Sequence, residues 1–150
     1  MKTSHIVPLV LALLAASACS TPSATQDNEL AASGPTVLEA RVEPGTIELN
    51  NQMQPVKPAE VLADIKDFTS PVTEVKLQFT HVPLEVPMRN IGGTTWRAEF
   101  SPRQLQKLAV SGRTIRYDAN VVATDGEGQT ATSKSPVQLA IKAPDLARSS

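Results

Sequence analysis

Between Gly112 and Gly128 the chain keeps up a strict two-residue alternation for longer than anywhere else. Ile115, Tyr117, Ala119, Val121 and Ala123 fall on one side of it, and Arg116, Asp118, Asn120 and Thr124 on the other. Val122 is the only apolar intruder on the polar side. Side chains repeat every second residue only in an extended strand, so this stretch predicts a long strand with one face in a core. The turn residues Asp125, Gly126 and Gly128 close it.

The flanking segments carry the same signal. Val37–Val42 alternates, with Leu38, Ala40 and Val42 expected inside and Glu39 and Arg41 outside. Thr46–Leu49 is a short continuation, and Asn50–Pro58, with its prolines and asparagines, a corner. Val61, Ala63 and Ile65 form the inward face of the next strand, and Val75, Leu77 and Phe79 that of the one after. Prolines 83 and 87 bracket Leu84–Arg89; because proline donates no ladder hydrogen bond, that strand is predicted at a sheet edge. Trp96, Ala98 and Phe100 face in, with Arg97 and Glu99 out. Ser101-Pro102 looks like a helix N-cap and first-turn proline, with Leu105, Leu108 and Ala109 at helical spacing. Val137, Leu139 and Ile141 complete a set of seven strands, with Pro136 suggesting a further edge or bulge. The chain is 41% hydrophobic but only 3% aromatic, so its core is built from aliphatic side chains.

The order of these features, and above all Trp96 through Gly128, resembles a bacterial immunoglobulin-like or fibronectin type III-like domain. Tyr117 falls where such domains place a "tyrosine corner", a hydroxyl that returns to upstream backbone. The resemblance implies a single antiparallel β-sandwich over 37–143, with 144–150 a tail. Antibody domains carry a cysteine on each of strands B and F and a tryptophan on C. Here those cysteines are absent and Trp96 falls on strand E, so the bacterial or fibronectin-like type is favoured. An antiparallel barrel, or a sandwich of other wiring, remains open.

The start of the chain predicts where the domain resides. Ile6–Ala16 is apolar apart from Pro8, about half of the ~20 residues needed to cross a bilayer, and follows a weakly basic Met1–His5. Leu14-Ala-Ala-Ser-Ala-Cys19 resembles the bacterial lipobox, although Ala16 stands where leucine is preferred. Residues 1–18 are therefore expected to be a lipoprotein signal peptide, with Cys19 acylated and 19–36 a flexible linker. Cys19 is the sole cysteine, so it has no internal disulfide partner. With Ser20 rather than aspartate following it, the resemblance implies an outer-membrane, lipid-anchored protein facing the periplasm. The alternative is a soluble secreted or periplasmic protein cut after Ala16-Ser17-Ala18.

Charge and motifs narrow the function. A net charge of −1 with no basic run excludes a nucleic-acid partner. No nucleophile elbow, zincin, P-loop or C-x-x-C motif occurs, and His81, at a strand end, reads as an exposed residue rather than a base. No enzyme activity, cofactor or metal is expected. In the resembled fold the B–C, D–E and F–G loops gather at one end, and here they carry Asp67, Asn90, Ile91, Asp125 and Glu127 as possible binding residues. Their three carboxylates would suit Ca²⁺, but Asp-Gly-Glu-Gly is also what a tight turn demands. Tyr117 and Trp96 are expected to be structural. Strand A should begin at the same end, which brings the linker to the loop pole. The expected role is a non-catalytic module that binds a protein partner of the envelope or helps assemble it. The alternatives are a structural spacer, or a binder of a small ligand or glycan.

Cys19→Ser should abolish the mass added by diacylglyceryl and block processing. Normal cleavage of the variant with retention on the membrane would contradict the lipoprotein reading.

Overall fold

The computed structural model describes residues 34–146. The leader, Cys19 and the linker up to residue 33 lie outside the described residues, as do the last four of the tail. Six strands come first: β1 (Thr36–Glu43), β2 (Thr46–Glu48), β3 (Glu60–Lys66), β4 (Val72–Phe79), β5 (Glu85–Gly92) and β6 (Thr95–Glu99). One helix, α1 (Pro102–Leu108), separates them from β7 (Thr114–Asp125), β8 (Thr130–Thr132) and β9 (Val137–Lys142). The fold is all-β, as the alternation predicts. Among the described residues nine strands are present rather than seven: β8 is three residues long and too short to show a period, and β2, expected only as a short continuation of the first strand, is a separate strand paired with β9.

Hydrogen bonds run through the strands in the order β1-β3-β6-β5-β4-β7-β9-β2, with β8 attached to β7. All pairs are antiparallel except β2 with β9, which run parallel. β5 joins the two halves of this path. Its residues Glu85 to Met88 pair with β4, and Arg89, Asn90 and Gly92 pair with β6. Pro87 sits opposite Lys76 in a stretch that is paired on one side only, so its missing donor faces no partner strand. The prolines therefore mark an edge, and the same strand then crosses to become the edge of the second sheet.

The two sheets share one core, the arrangement of a β-sandwich. Val61, Ala63 and Ile65 of β3 meet Val75, Leu77 and Phe79 of β4, Ala119, Val121 and Ala123 of β7, and Val137, Leu139 and Ile141 of β9. With few rings available, Phe79 occupies a junction. It packs edge-on against Phe100 at 6.4 Å and against Tyr117 at 6.0 Å between ring centroids.

The inward face of β1 differs from its predicted one. A bulge between Val37 and Glu39 places one unpaired residue opposite β3 and reverses the alternation there. Val37 is consequently buried and Leu38 is 54% exposed, while Ala40 and Val42 regain the core side. The strict period-2 reading put Leu38 inside because it had no signal for the extra residue.

Helix α1 is fixed at both ends. The Ser101 side chain accepts from the Gln104 amide and the Gln104 side chain accepts from the Ser101 amide, a reciprocal capping box, with Pro102 in the first turn. Leu105 and Leu108 are fully buried. At the far end the Tyr117 hydroxyl donates to the Leu108 carbonyl, one of the acceptors that a helix C-terminus leaves unpaired. Burial of the ring raises the Tyr117 pKa. The tyrosine thus ties the β6–β7 crossover to the middle of the sandwich.

Tyr117→Phe should cost about 1–3 kcal/mol in urea unfolding, since the carbonyl loses its donor in a site that the ring still fills. An unchanged midpoint would show that this hydrogen bond contributes nothing.

Candidate functional site

Each of the three connections at one end of the sandwich is folded by its own polar side chains. After β3, Asp67 Oδ1 accepts from the amides of Thr69 (2.8 Å) and Ser70 (3.0 Å) and from the Thr69 hydroxyl (3.0 Å). This is an Asx-type turn, in which a short carboxylate substitutes for backbone acceptors. Between β5 and β6, Asn90 Oδ1 accepts from the Gly92 amide and its Nδ2 donates to the Gly93 carbonyl. Gly92 and Gly93 both have positive φ, which this turn requires. After β7, Asp125 Oδ1 accepts from the amides of Glu127 (2.9 Å) and Gln129 (2.8 Å).

The connections are also tied to one another. The Gly126 amide donates to the Pro71 carbonyl at 3.0 Å, and the Thr73 hydroxyl donates to the Asp125 carbonyl at 3.1 Å. A Cβ on Gly34 would lie 2.9 Å from Gln129 Oε1, and Thr36 pairs with Lys66. The chain therefore enters the sandwich beside these loops, as expected from the direction of the first strand.

Fixing the Asp67 turn has a consequence for its neighbour. Phe68 projects from the tip, 87% exposed, the most exposed large apolar side chain among the described residues. A cleft of about 390 Å³ opens beneath it, lined by Ile65, Pro71, Val72, Asn90 and Trp96 together with Phe68. Trp96 is half-buried: it shares the inward side of β6 with Ala98 and packs against the core, and it also forms a wall of this cleft. A second cleft of about 300 Å³ lies between the β1 bulge and 133–136, beside exposed Leu38. It holds no aromatic side chain, and the pole is the stronger candidate for that reason.

The five loop residues singled out from the sequence separate into different roles. Asp67 and Asn90 border the cleft, though both also serve their own turns. Ile91 stands at the turn tip, 46% exposed. Glu127 is exposed, and its Oε2 accepts from Gln129 Nε2. Asp125 is buried, continuing the inward alternation of Val121 and Ala123, so no ligand in solution reaches it. The three carboxylates do not converge, and among the described residues no group of three potential metal ligands is present. His81 is exposed beyond the opposite end of β4.

The Asp67 carboxyl is held below the usual aspartate range. The Thr69 amide lowers it most, assisted by the Ser70 amide, the Thr69 hydroxyl and Asp125, and opposed by loss of water. The turn therefore favours an ionised Asp67.

Phe68 is the residue that sequence reasoning missed. A signal for it existed: a large apolar side chain inside Asp-Phe-Thr-Ser-Pro has no core position to fill, the same argument that singled out Ile91. The sequence matches no protein-family model and no curated protein.

Proposed function

We propose that this chain is an exported, lipid-anchored module of immunoglobulin-like type that docks a protein of the cell envelope through its loop pole, without catalysis. The observation that carries the reading is Phe68. Exposing an aromatic ring on a folded loop costs hydration and contributes nothing to the core, whereas rigid aromatic anchors dominate the energetics of protein interfaces. Ile91 on the neighbouring turn and the cleft walled by Trp96 supply the apolar surroundings that such an anchor needs. The amide-to-side-chain hydrogen bonds of the Asp67 and Asn90 turns hold both tips in place, which limits the ordering cost on binding.

The arrival of the chain at Gly34 supports a partner close to the membrane. If Cys19 is acylated, the intervening segment lets the pole stand at most roughly 50 Å from the lipid. A partner at the pole would then lie between the domain and the bilayer surface or beside its anchor. The free edge at Glu85–Met88 is a poorer docking surface. Pro87 interrupts it, and Lys76 bonds across to Glu85 at 3.0 Å, placing charge along it.

Phe68→Ser combined with Ile91→Asp should lower in-cell crosslinking to the partner several-fold while leaving the thermal midpoint nearly unchanged. Substitutions of Glu85 and Arg89 at the edge should leave crosslinking intact. Loss of crosslinking from the edge pair alone would contradict a pole-docking role. Absence of any specific crosslinked species with the wild type would favour a structural spacer instead.

A further inference from the structure

The chain has only five aromatic residues, and they divide into two groups. Phe79, Phe100 and Tyr117 meet in the core. Phe68 and Trp96 both line the cleft at the pole. An aromatic face carries a negative quadrupole that attracts a cation, and tryptophan does so most strongly.

The same cleft carries a negative charge that nothing in the chain pairs. Asp67 lines it, and its Oδ1 accepts from the Thr69 and Ser70 amides and the Thr69 hydroxyl, all uncharged donors. These bonds, the Thr69 amide foremost, keep the carboxyl ionised at neutral pH. Among the described residues no lysine or arginine forms an ion pair with it. The connections at 67–71, 90–94 and 125–129 contain no lysine or arginine at all, and Glu127 and Glu74 add exposed carboxylates around them. Lys66, at the end of β3, is the one cation on the cleft.

A purely apolar ligand would strip water from Asp67 and leave its charge without a partner, which costs free energy. A cationic ligand restores one. Arginine fits better than lysine, because its guanidinium is planar, weakly hydrated and stacks on aromatic faces.

We propose that the pole cleft receives an arginine side chain of the envelope protein, stacked on Phe68 and Trp96 within the field of Asp67. The inference rests on the pole-docking reading and adds the chemistry of the partner: a basic anchor, met by aromatic rings and a carboxylate. Asp67 Oδ2 is enclosed, so the attraction is Coulombic and acts through space rather than through a direct hydrogen bond. Lys66 repels the incoming charge and lowers the affinity.

Trp96 is the only tryptophan of the chain, so its fluorescence in the full chain, held in detergent micelles, reports on the cleft alone. N-acetyl-arginine amide should change it saturably. N-acetyl-citrulline amide, the same shape without the charge, and choline, a lipid headgroup cation, should change it far less. Asp67→Asn keeps an oxygen to fold the turn and should weaken arginine binding several-fold, as should Phe68→Ser; Lys66→Gln should tighten it. No saturable response to arginine, or an equal response to citrulline, would overturn the proposal. An equal response to choline would overturn it in favour of a lipid headgroup. In cells, Asp67→Asn should lower crosslinking to the partner several-fold. Crosslinking lost in Phe68→Ser combined with Ile91→Asp but unchanged in Asp67→Asn would overturn the arginine anchor and leave docking at the pole standing.

Discussion

β7 carries hydrogen-bonded neighbours along both of its sides, and the rest of the sandwich depends on that. Val72–Phe79 of β4 runs along one side, and β9 followed by β8 runs along the other. Even where β8 ends, the Ser133 hydroxyl accepts from the Val121 amide and the Ser133 amide donates to the Val121 carbonyl. A strand with both ladders filled has no backbone group left to exchange with water, so its register resists slipping. Ala119, Val121 and Ala123 consequently reach the core with no exposure at all. Small side chains at those positions let the facing layer close in, which suits a protein with few rings to fill space.

The loop pole follows from the same strand. β7 ends on Asp125, whose carboxylate folds the next turn, and Gly126 reaches across to Pro71 at the start of β4. The turn after β3 is fastened in this way, and Phe68 lies exposed at its tip. The residues that build the loops are thus distinct from those that face solvent for a partner: polar side chains are consumed in shaping turns, and the apolar tips remain.

The all-β class, the inward faces of β3, β4, β7 and β9, the capped helix and the tyrosine hydrogen bond were legible in the sequence. Each leaves a local signature: a period of two, a capping pair, or a tyrosine at a set place in a strand. Three features were not. The bulge at Leu38 adds one residue without changing composition, and β8 is too short for periodicity, while the segment read as a continuation of the first strand pairs instead with β9 as β2. The crossing of β5 from one sheet to the other is a property of pairing partners, which alternation does not encode. At the pole, sequence grouped Asp125 with accessible loop residues because Asp-Gly reads as a turn. In fact the inward alternation runs one step further than the apolar residues do.

Native-state hydrogen exchange on the soluble domain tests most directly whether β7 is the frame of the structure. The account predicts that amides between Ala119 and Ala123 exchange only through global unfolding, with an opening free energy equal to that from urea. Amides of β3 and β6, in the other sheet, should exchange through the same event or a smaller one. Amides of β7 that exchange by local opening while those of β3 and β6 stay protected would contradict it.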